Sequence, residues 1–204
     1  MGDPKFSRQK YERPSHPWEG ERIKAENELL KKYGLKNKKE LWRAQSVLRR
    51  FRQRARTLQA MVRYGDKQAG KEKDELIGRL GRLGLLPTEG ATLDDVLGLD
   101  VEAVLSRRLQ TLAFVKGLAF TPHQARQFIV HGHVAIGSRR VTVPGYLVAR
   151  TEEGGIVYDP RSPIANDMHP ARPGAPPPEP AAEAEPGPAP PGAPGPAGPG
   201  GEAP

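Results

Sequence analysis

The stretch RRLQTLAFVKGLAFTPHQARQFIVHGHVAIGSRRVTVPGYLV, residues 107–148, switches from helical to strand spacing within a few residues. Thr121-Pro122-His123-Gln124 offers a capping Thr, a Pro at the first helical position and a Gln at the reciprocal capping place. Ala125, Phe128 and Ile129 then share one face, so a short helix is expected to reach His131 and stop at Gly132. Beyond it Val134-Ala135-Ile136, the pair Gly137-Ser138 and the run Arg139 to Val143 read as a hairpin, with a two-residue turn between a short apolar run and a β-branched one. Tyr146 to Val148 and Ile156 to Tyr158 add two strand candidates, separated by a Glu-Gly-Gly turn. Upstream, Val101, Val104, Leu105, Leu109, Leu112 and Val115 recur at helical spacing from Asp100 to Gly117, with a break near Ser106 left open.

Cations stand where these elements end: Arg107, Arg108, Lys116, Arg126, Arg139 and Arg140. The helix entrance at Thr121 adds backbone N–H groups that favour a phosphate. Together they suggest one polyanion-binding surface; the plainer reading is scattered solubilising charge.

Toward the N-terminus lies the strongest helix. Asn37 can cap it, Glu40 occupies the capping-box place, and Leu41, Ala44, Leu48, Phe51, Ala55, Leu58 and Val62 form one apolar stripe. Its other positions carry Lys38, Lys39, Arg43, Arg49, Arg50, Arg52, Arg54, Arg56 and Arg63, with Glu40 the sole acid from Lys36 to Arg63. Like charges at helical spacing repel, so a one-signed face implies an anionic partner. A membrane surface is the weaker alternative, because the apolar stripe is needed for packing. Helices are also expected over Glu21 to Tyr33, stopped by Gly34, over Glu72 to Leu83, and over Leu93 to Leu97 with Thr92 as cap and Asp95 three residues on. The first twenty residues, with Pro4, Pro14 and Pro17 among Lys5, Arg8, Lys10 and Arg13, read as an extended basic arm.

The C-terminal segment from Pro173 to Pro204 is nearly all Pro, Gly, Ala and Glu, a composition expected to stay a flexible, disordered tail. It holds four of the 24 acids and none of the 32 bases, leaving 32 bases against 20 acids in the body. Such an excess suits a polyanion, whose condensed counterions are released on binding. The absence of cysteine excludes disulfides, thiolate zinc sites and a Cys nucleophile. No run approaches the roughly 20 apolar residues of a membrane span, and MGDPKFSRQK lacks a signal-peptide core, so no membrane association is expected. His123, His131 and His133 follow no metal-ligand or catalytic pattern, and no carboxylate lies between Glu102 and Glu152, so neither a metal, a cofactor nor a catalytic group is expected. Trp18, Trp42 and Tyr33 read as packing residues in preference to base-stacking platforms.

The opening stretch, with its R-L start, central A-R-Q and V-x-I-x-G-x-x-V hairpin, resembles the small RNA-binding module named after small-subunit ribosomal protein S-four. YERPSHPWEGERI, YGLKNKKELWRAQSVLRRFRQRAR and LGLDVEAVLSRRLQTLAF are similar to the archaeal and eukaryotic branch of that family, so the resemblance spans roughly residues 1 to 160. It implies an α+β chain: a helical N-terminal body and a small two-helix and β-hairpin module, followed by the tail. The division expected is 1–20 arm, 21–106 body, 107–160 module and 161–204 tail. It also implies a cytoplasmic ribosomal protein that binds small-subunit RNA, nucleates assembly, touches neighbouring small-subunit proteins, lies where messenger RNA enters and influences decoding accuracy, with no small-molecule substrate. Carried over by position, the module would contact RNA through Arg107, Arg108, Lys116, Thr121, Arg126, Arg139 and Arg140, and the body through Lys38, Lys39, Arg43, Arg49, Arg50, Arg52, Arg54 and Arg56. Gln110 departs from the Asp that many module copies have, and the metal-binding cysteines of some bacterial relatives are absent. The rival readings are a free-standing factor acting transiently on ribosomal RNA and the targeting part of an RNA-modifying enzyme, for which no remaining segment is large enough.

Overall fold

Helical apolar spacing on the N-terminal side of residue 107 and mixed spacing beyond it produce two hydrophobic cores that share one joint. The computed structural model describes residues 9–87, 90–167 and 169–173. Helix α1 (Gly20–Tyr33) ends on Gly34, whose φ of 60° lets the Leu35 N–H close back on the Leu30 carbonyl. Helix α2 (Lys38–Arg63) starts at Asn37, whose side chain accepts from the Glu40 N–H at 3.3 Å. Helix α3 (Lys67–Arg82) begins earlier than its apolar spacing indicated, because Asp66 caps the polar turn by accepting from the Gln68 N–H. Helices α4 (Leu93–Gly98), with the expected Thr92 and Asp95 capping box, and α5 (Val101–Ser106) complete the body. Its core is leucine-rich, with Leu41, Leu58, Leu80, Val96 and Leu105 almost wholly enclosed.

The single helical run that began at Asp100 breaks at Arg107-Arg108, and α6 (Leu109–Val115) follows. Helix α7 (Pro122–Val130) is capped by Thr121, which accepts from the Gln124 N–H. Strands β1 (Val134–Ile136), β2 (Arg139–Arg140) and β3 (Ile156–Tyr158) form an antiparallel sheet in the order β2-β1-β3, with Ala135 opposite both Arg140 and Val157. Leu109, Ile129, Val134, Val148 and Ile156 fill this second core.

Two strand expectations change. The run Arg139 to Val143 pairs as a strand only at its first two residues, since Pro144 lacks a donor and the chain turns away. Residues 146–148 join no sheet and instead run beside the start of α6. The Leu109 N–H donates to the Tyr146 carbonyl at 2.8 Å and the Val148 N–H to that of Arg107 at 3.1 Å, with one bridge between Arg108 and Leu147. Backbone thereby caps a helix start that has no side-chain cap. A one-turn helix, α8 (Arg150–Glu153), fills the link to β3.

Residues 161–167 and 169–173, grouped with the tail, carry structure. Ser162 caps a 3-10 turn at Pro163–Ala165, Ile164 is buried in the second core, and the Arg172 guanidinium lies over the Tyr158 ring at 5.0 Å. Ile164 supplies the apolar anchor that the Pro-rich composition further on lacks. The rest of the expected tail, 174–204, and the arm residues 1–8 lie outside the described residues. Arm residues 9–19 form no regular element but lie along α2: the Tyr11 and Trp42 rings are 6.0 Å apart and the Glu12 N–H donates to the Ser46 hydroxyl. Trp18 is not a packing residue; it stands 91% exposed on a turn fixed by Arg22, which donates to the carbonyls of His16 and Pro17.

The joint between the cores is polar and closely fitted. Gln110, 1% exposed, donates to the carbonyls of Gly34 (2.8 Å) and Pro122 (2.9 Å) and accepts from Arg126. A Cβ on Gly34 would come within 2.7 Å of the Pro122 Cβ and 3.0 Å of the Gln110 Nε2. Gly34→Ala should therefore cost about 2–4 kcal/mol in urea unfolding, from left-handed strain plus overpacking. Gly65→Ala, at φ 81° in open space, should cost only the strain of about 1–2 kcal/mol. Equal losses at the two positions would contradict a closely fitted joint.

Candidate RNA interface

At 3.6 residues per turn the cations of α2 cannot all share one face, and the helix distributes them along two flanks of its buried stripe. On one flank Arg49, Arg52 and Arg56 border a groove that also includes Val101 of α5. On the other, Arg43, Arg50 and Arg54 look toward the turn at 143–149. The expected one-signed face is thus two surfaces.

The two flanks differ in how free their charges are. Arg52 donates to the Leu99 carbonyl, and Arg49 pairs with Glu12 of the arm. Lys38 is drawn to Glu26, a buried carboxylate that also accepts from Arg22 and the Trp42 indole. Burial opposes ionisation of Glu26, but the hydrogen bonds from Trp42, Arg22 and Lys38 prevail and keep its carboxyl below the usual range. On the second flank, Arg54 has one exposed and long pair, to Glu72 at 3.4 Å, and Arg43 is exposed. Arg79 and Arg82 of α3 come in opposite Arg50 and Arg54, and neither pairs with a carboxylate among the described residues. Sequence reading did not single out these two arginines. They stand at i,i+3 in the last turn of α3, where cations also complement the helix dipole, so their spacing alone indicated nothing unusual.

Several module residues expected to face RNA are engaged within the fold. Arg108, with its side chain 8% exposed, donates to Glu40 at 2.8 Å, and Arg126 forms a fork on the same carboxylate at 2.6 and 3.1 Å. Arg107 bonds Glu153 and the Val148 carbonyl, and the Lys116 ammonium donates to the Glu153 carbonyl. Arg140 pairs with Asp159 at 2.7 Å. The Arg161 N–H and then Arg140 hold the Asp159 carboxyl below its ordinary range. Arg139 stays exposed beside the Tyr146 ring. Thr121 spends its hydroxyl on the Gln124 N–H, while the Gln124 side chain takes the Phe120 N–H, so this helix entrance is already capped. Arg43, Arg50 and Arg54 on the second flank, Arg79 and Arg82 of α3, Arg49 and Arg56 on the first flank, and Arg139 and Arg140 of the module are all exposed, Arg139 lying 3.8 Å from Glu152.

Elsewhere the His131 and His133 rings lie 5.8 Å apart, and His133 Nδ1 is 2.8 Å from the Ser162 hydroxyl. Burial lowers the His133 pKa. No three His, Asp or Glu side chains are placed to hold a metal ion among the described residues, and no described helix is long and apolar enough to cross a membrane.

Comparison with known proteins bears on what these surfaces meet. A family model described as the S4 domain matches residues 107–153. The chain is 56% identical over 172 residues to small ribosomal subunit protein uS4 of Picrophilus torridus, covering 84% of this chain and 93% of that protein. It is 54% identical to uS4 of Methanococcus aeolicus and 50% identical to that of Methanothermobacter thermautotrophicus, again over 84% of this chain and 96% and 98% of theirs.

Glu40 is where body and module meet electrostatically. Burial alone would raise its pKa, but the hydrogen bonds of Arg126 and Arg108 outweigh it and leave the carboxyl below its ordinary 4.5. A depressed carboxylate stabilises the fold fully above its unfolded pKa, and that contribution disappears as pH falls through the folded value. Glu40→Gln, which strands two enclosed guanidiniums, should lose about 3–5 kcal/mol in urea unfolding at pH 7. The gap from the wild type should begin to narrow as pH drops below about 4.5, where the unfolded chain's carboxyl takes up a proton, and should go on narrowing as pH falls through the lower folded value. A gap independent of pH would mean that shape, and not charge, holds this contact.

Proposed function

The chain belongs to the uS4 family of small-subunit ribosomal proteins, and from that premise we propose that it is a structural component of the small ribosomal subunit that binds ribosomal RNA directly. The observation that carries this reading is the surface where Arg43, Arg50 and Arg54 of α2 stand with Arg79 and Arg82 of α3. Among the described residues only Glu72, through its long contact to Arg54, pairs with any of these charges. Uncompensated guanidiniums on a rigid scaffold repel one another at a cost that phosphates reverse, and each planar fork matches a phosphate's oxygens.

In this proposal the direct contacts are Lys39, Arg43, Arg50, Arg54, Arg56, Arg79, Arg82 and Arg139. Arg107, Arg108, Arg126 and Lys116 act one step back, fixing the module against the body. The division into arm, body, module and tail follows the two cores, with the tail beginning beyond the 3-10 turn at Pro163–Ala165. The protein has no catalytic activity of its own; it supplies binding and shape. Assembly nucleation, a place where messenger RNA enters and an influence on decoding accuracy are carried by the family resemblance, and neighbouring small-subunit proteins are its further partners.

Binding to small-subunit RNA should weaken with salt, the slope of log K against log[salt] being about −4 or steeper if six or so phosphates are neutralised. Arg50→Glu with Arg54→Glu should reduce affinity at least about tenfold while helical content, read by circular dichroism, stays unchanged. The chain should also co-sediment with small subunits at one copy each through a moderate salt wash. A flat salt response, or association far below one copy, would favour a transient factor over a resident component.

A further inference from the structure

The arginine-rimmed surface is not flat. Between α2, α3 and the turn at 145–149 lies a recess of about 710 Å³ whose floor is apolar: Val47, Phe51, Leu76, Leu83 and Leu147. Arg50 and Arg54 stand on one rim and Arg79 and Arg82 on the other. Leu76 is buried, whereas Val47, Phe51, Leu83 and Leu147 are only half-buried, so aliphatic surface and one ring stay open beneath four cations.

Phosphates of a regular duplex account for the rim but not for the floor. They are hydrated anions on a convex ridge and would leave the apolar surface beneath them uncovered. An unpaired nucleotide satisfies both parts: its base has apolar faces and fits a recess of this size, while its own and adjacent phosphates come to the rim. Arginine suits both tasks, since its planar fork binds phosphate oxygens and its face stacks on a base. We infer that this recess receives a single unpaired RNA nucleotide, with the base on the Val47, Phe51, Leu83 and Leu147 floor and the flanking phosphates on Arg50, Arg54, Arg79 and Arg82. The inference rests on the RNA-binding reading above and narrows it, from phosphate-rich RNA in general to RNA with an extruded base. Leu147 comes from the module side and Val47 and Leu83 from the body, so the recess exists only when the joint is closed.

The test uses the full chain and two probes, a short RNA duplex and the same duplex carrying one unpaired 2-aminopurine. The wild type should bind the second about tenfold more tightly, with a change in 2-aminopurine fluorescence that reports a new stacking environment. Leu83→Asn with Leu147→Asn, which makes the floor polar without changing charge, should abolish the preference and leave duplex affinity intact. Should that variant unfold, Arg79→Lys with Arg82→Lys keeps the charge and removes the planar fork, and should cut the preference at least about threefold at an unchanged salt slope. Equal binding of the two probes with a steep salt slope overturns the inference and leaves the ribosomal reading standing. A preference that survives both variants overturns it as well, as does tighter binding of an acidic, leucine-containing peptide than of the unpaired-nucleotide duplex. Failure to bind whole small-subunit RNA would instead remove the reading on which the inference rests.

Discussion

One carboxylate, Glu40, constrains the rest of the molecule. It projects from the first turn of α2, where the helix dipole already favours a negative charge, and is held by Arg108 and Arg126 from the opposite side of the joint. Without it two enclosed guanidiniums would face each other across a low-dielectric gap, a cost larger than the attraction gained when a pair is complete. Gln110 reinforces the contact in neutral form, accepting one hydrogen bond from Arg126 and donating across to the end of α1. Where many copies of the module carry Asp, a carboxylate here could not donate to the Gly34 and Pro122 carbonyls; the amide can. The residue that looked like a departure is the one that lets this joint satisfy the Gly34 and Pro122 carbonyls.

The body and module of the fold were legible because their signals are local. Apolar side chains every three or four residues marked α2, capping residues marked the starts of α4 and α7, and the Gly137-Ser138 pair marked the β1–β2 turn. What could not be read was long-range. Glu40 occupies a capping-box position, and by local rules its side chain should reach back to its own helix start. It turns instead to arginines 68 and 86 residues away. Residues 146–148 likewise have strand composition, yet their partner is a helix start and not a sheet, which no period in the sequence encodes.

The same limit shaped the interface. Sequence identifies cations by type, and it placed Arg107, Arg108, Arg126 and Arg140 with the RNA-facing set. In the fold they pair with Glu153, Glu40 and Asp159, Arg108 being enclosed and Arg140 still about half exposed. Conversely Arg79 and Arg82, unremarkable on α3, gain significance only because α3 packs against α2 and aligns them with Arg50 and Arg54. Net charge thus overstates the charge left unpaired, and on the proposed reading the part open to RNA centres on α2 and the last turn of α3.

The sequence distance across the joint also sets an order of events during synthesis. Emerging N-terminus first, the body can bury its leucine core from residues up to Leu105 while Glu40 is still unpaired. Arg108 arrives soon after, but the fork from Arg126 and the Gln110 bond to the Pro122 carbonyl need the chain through the first turns of α7. Closure of the joint therefore comes after the body core can form, and a nascent chain that has emerged only to residue 125 would display a helical core with an open, electrostatically incomplete edge.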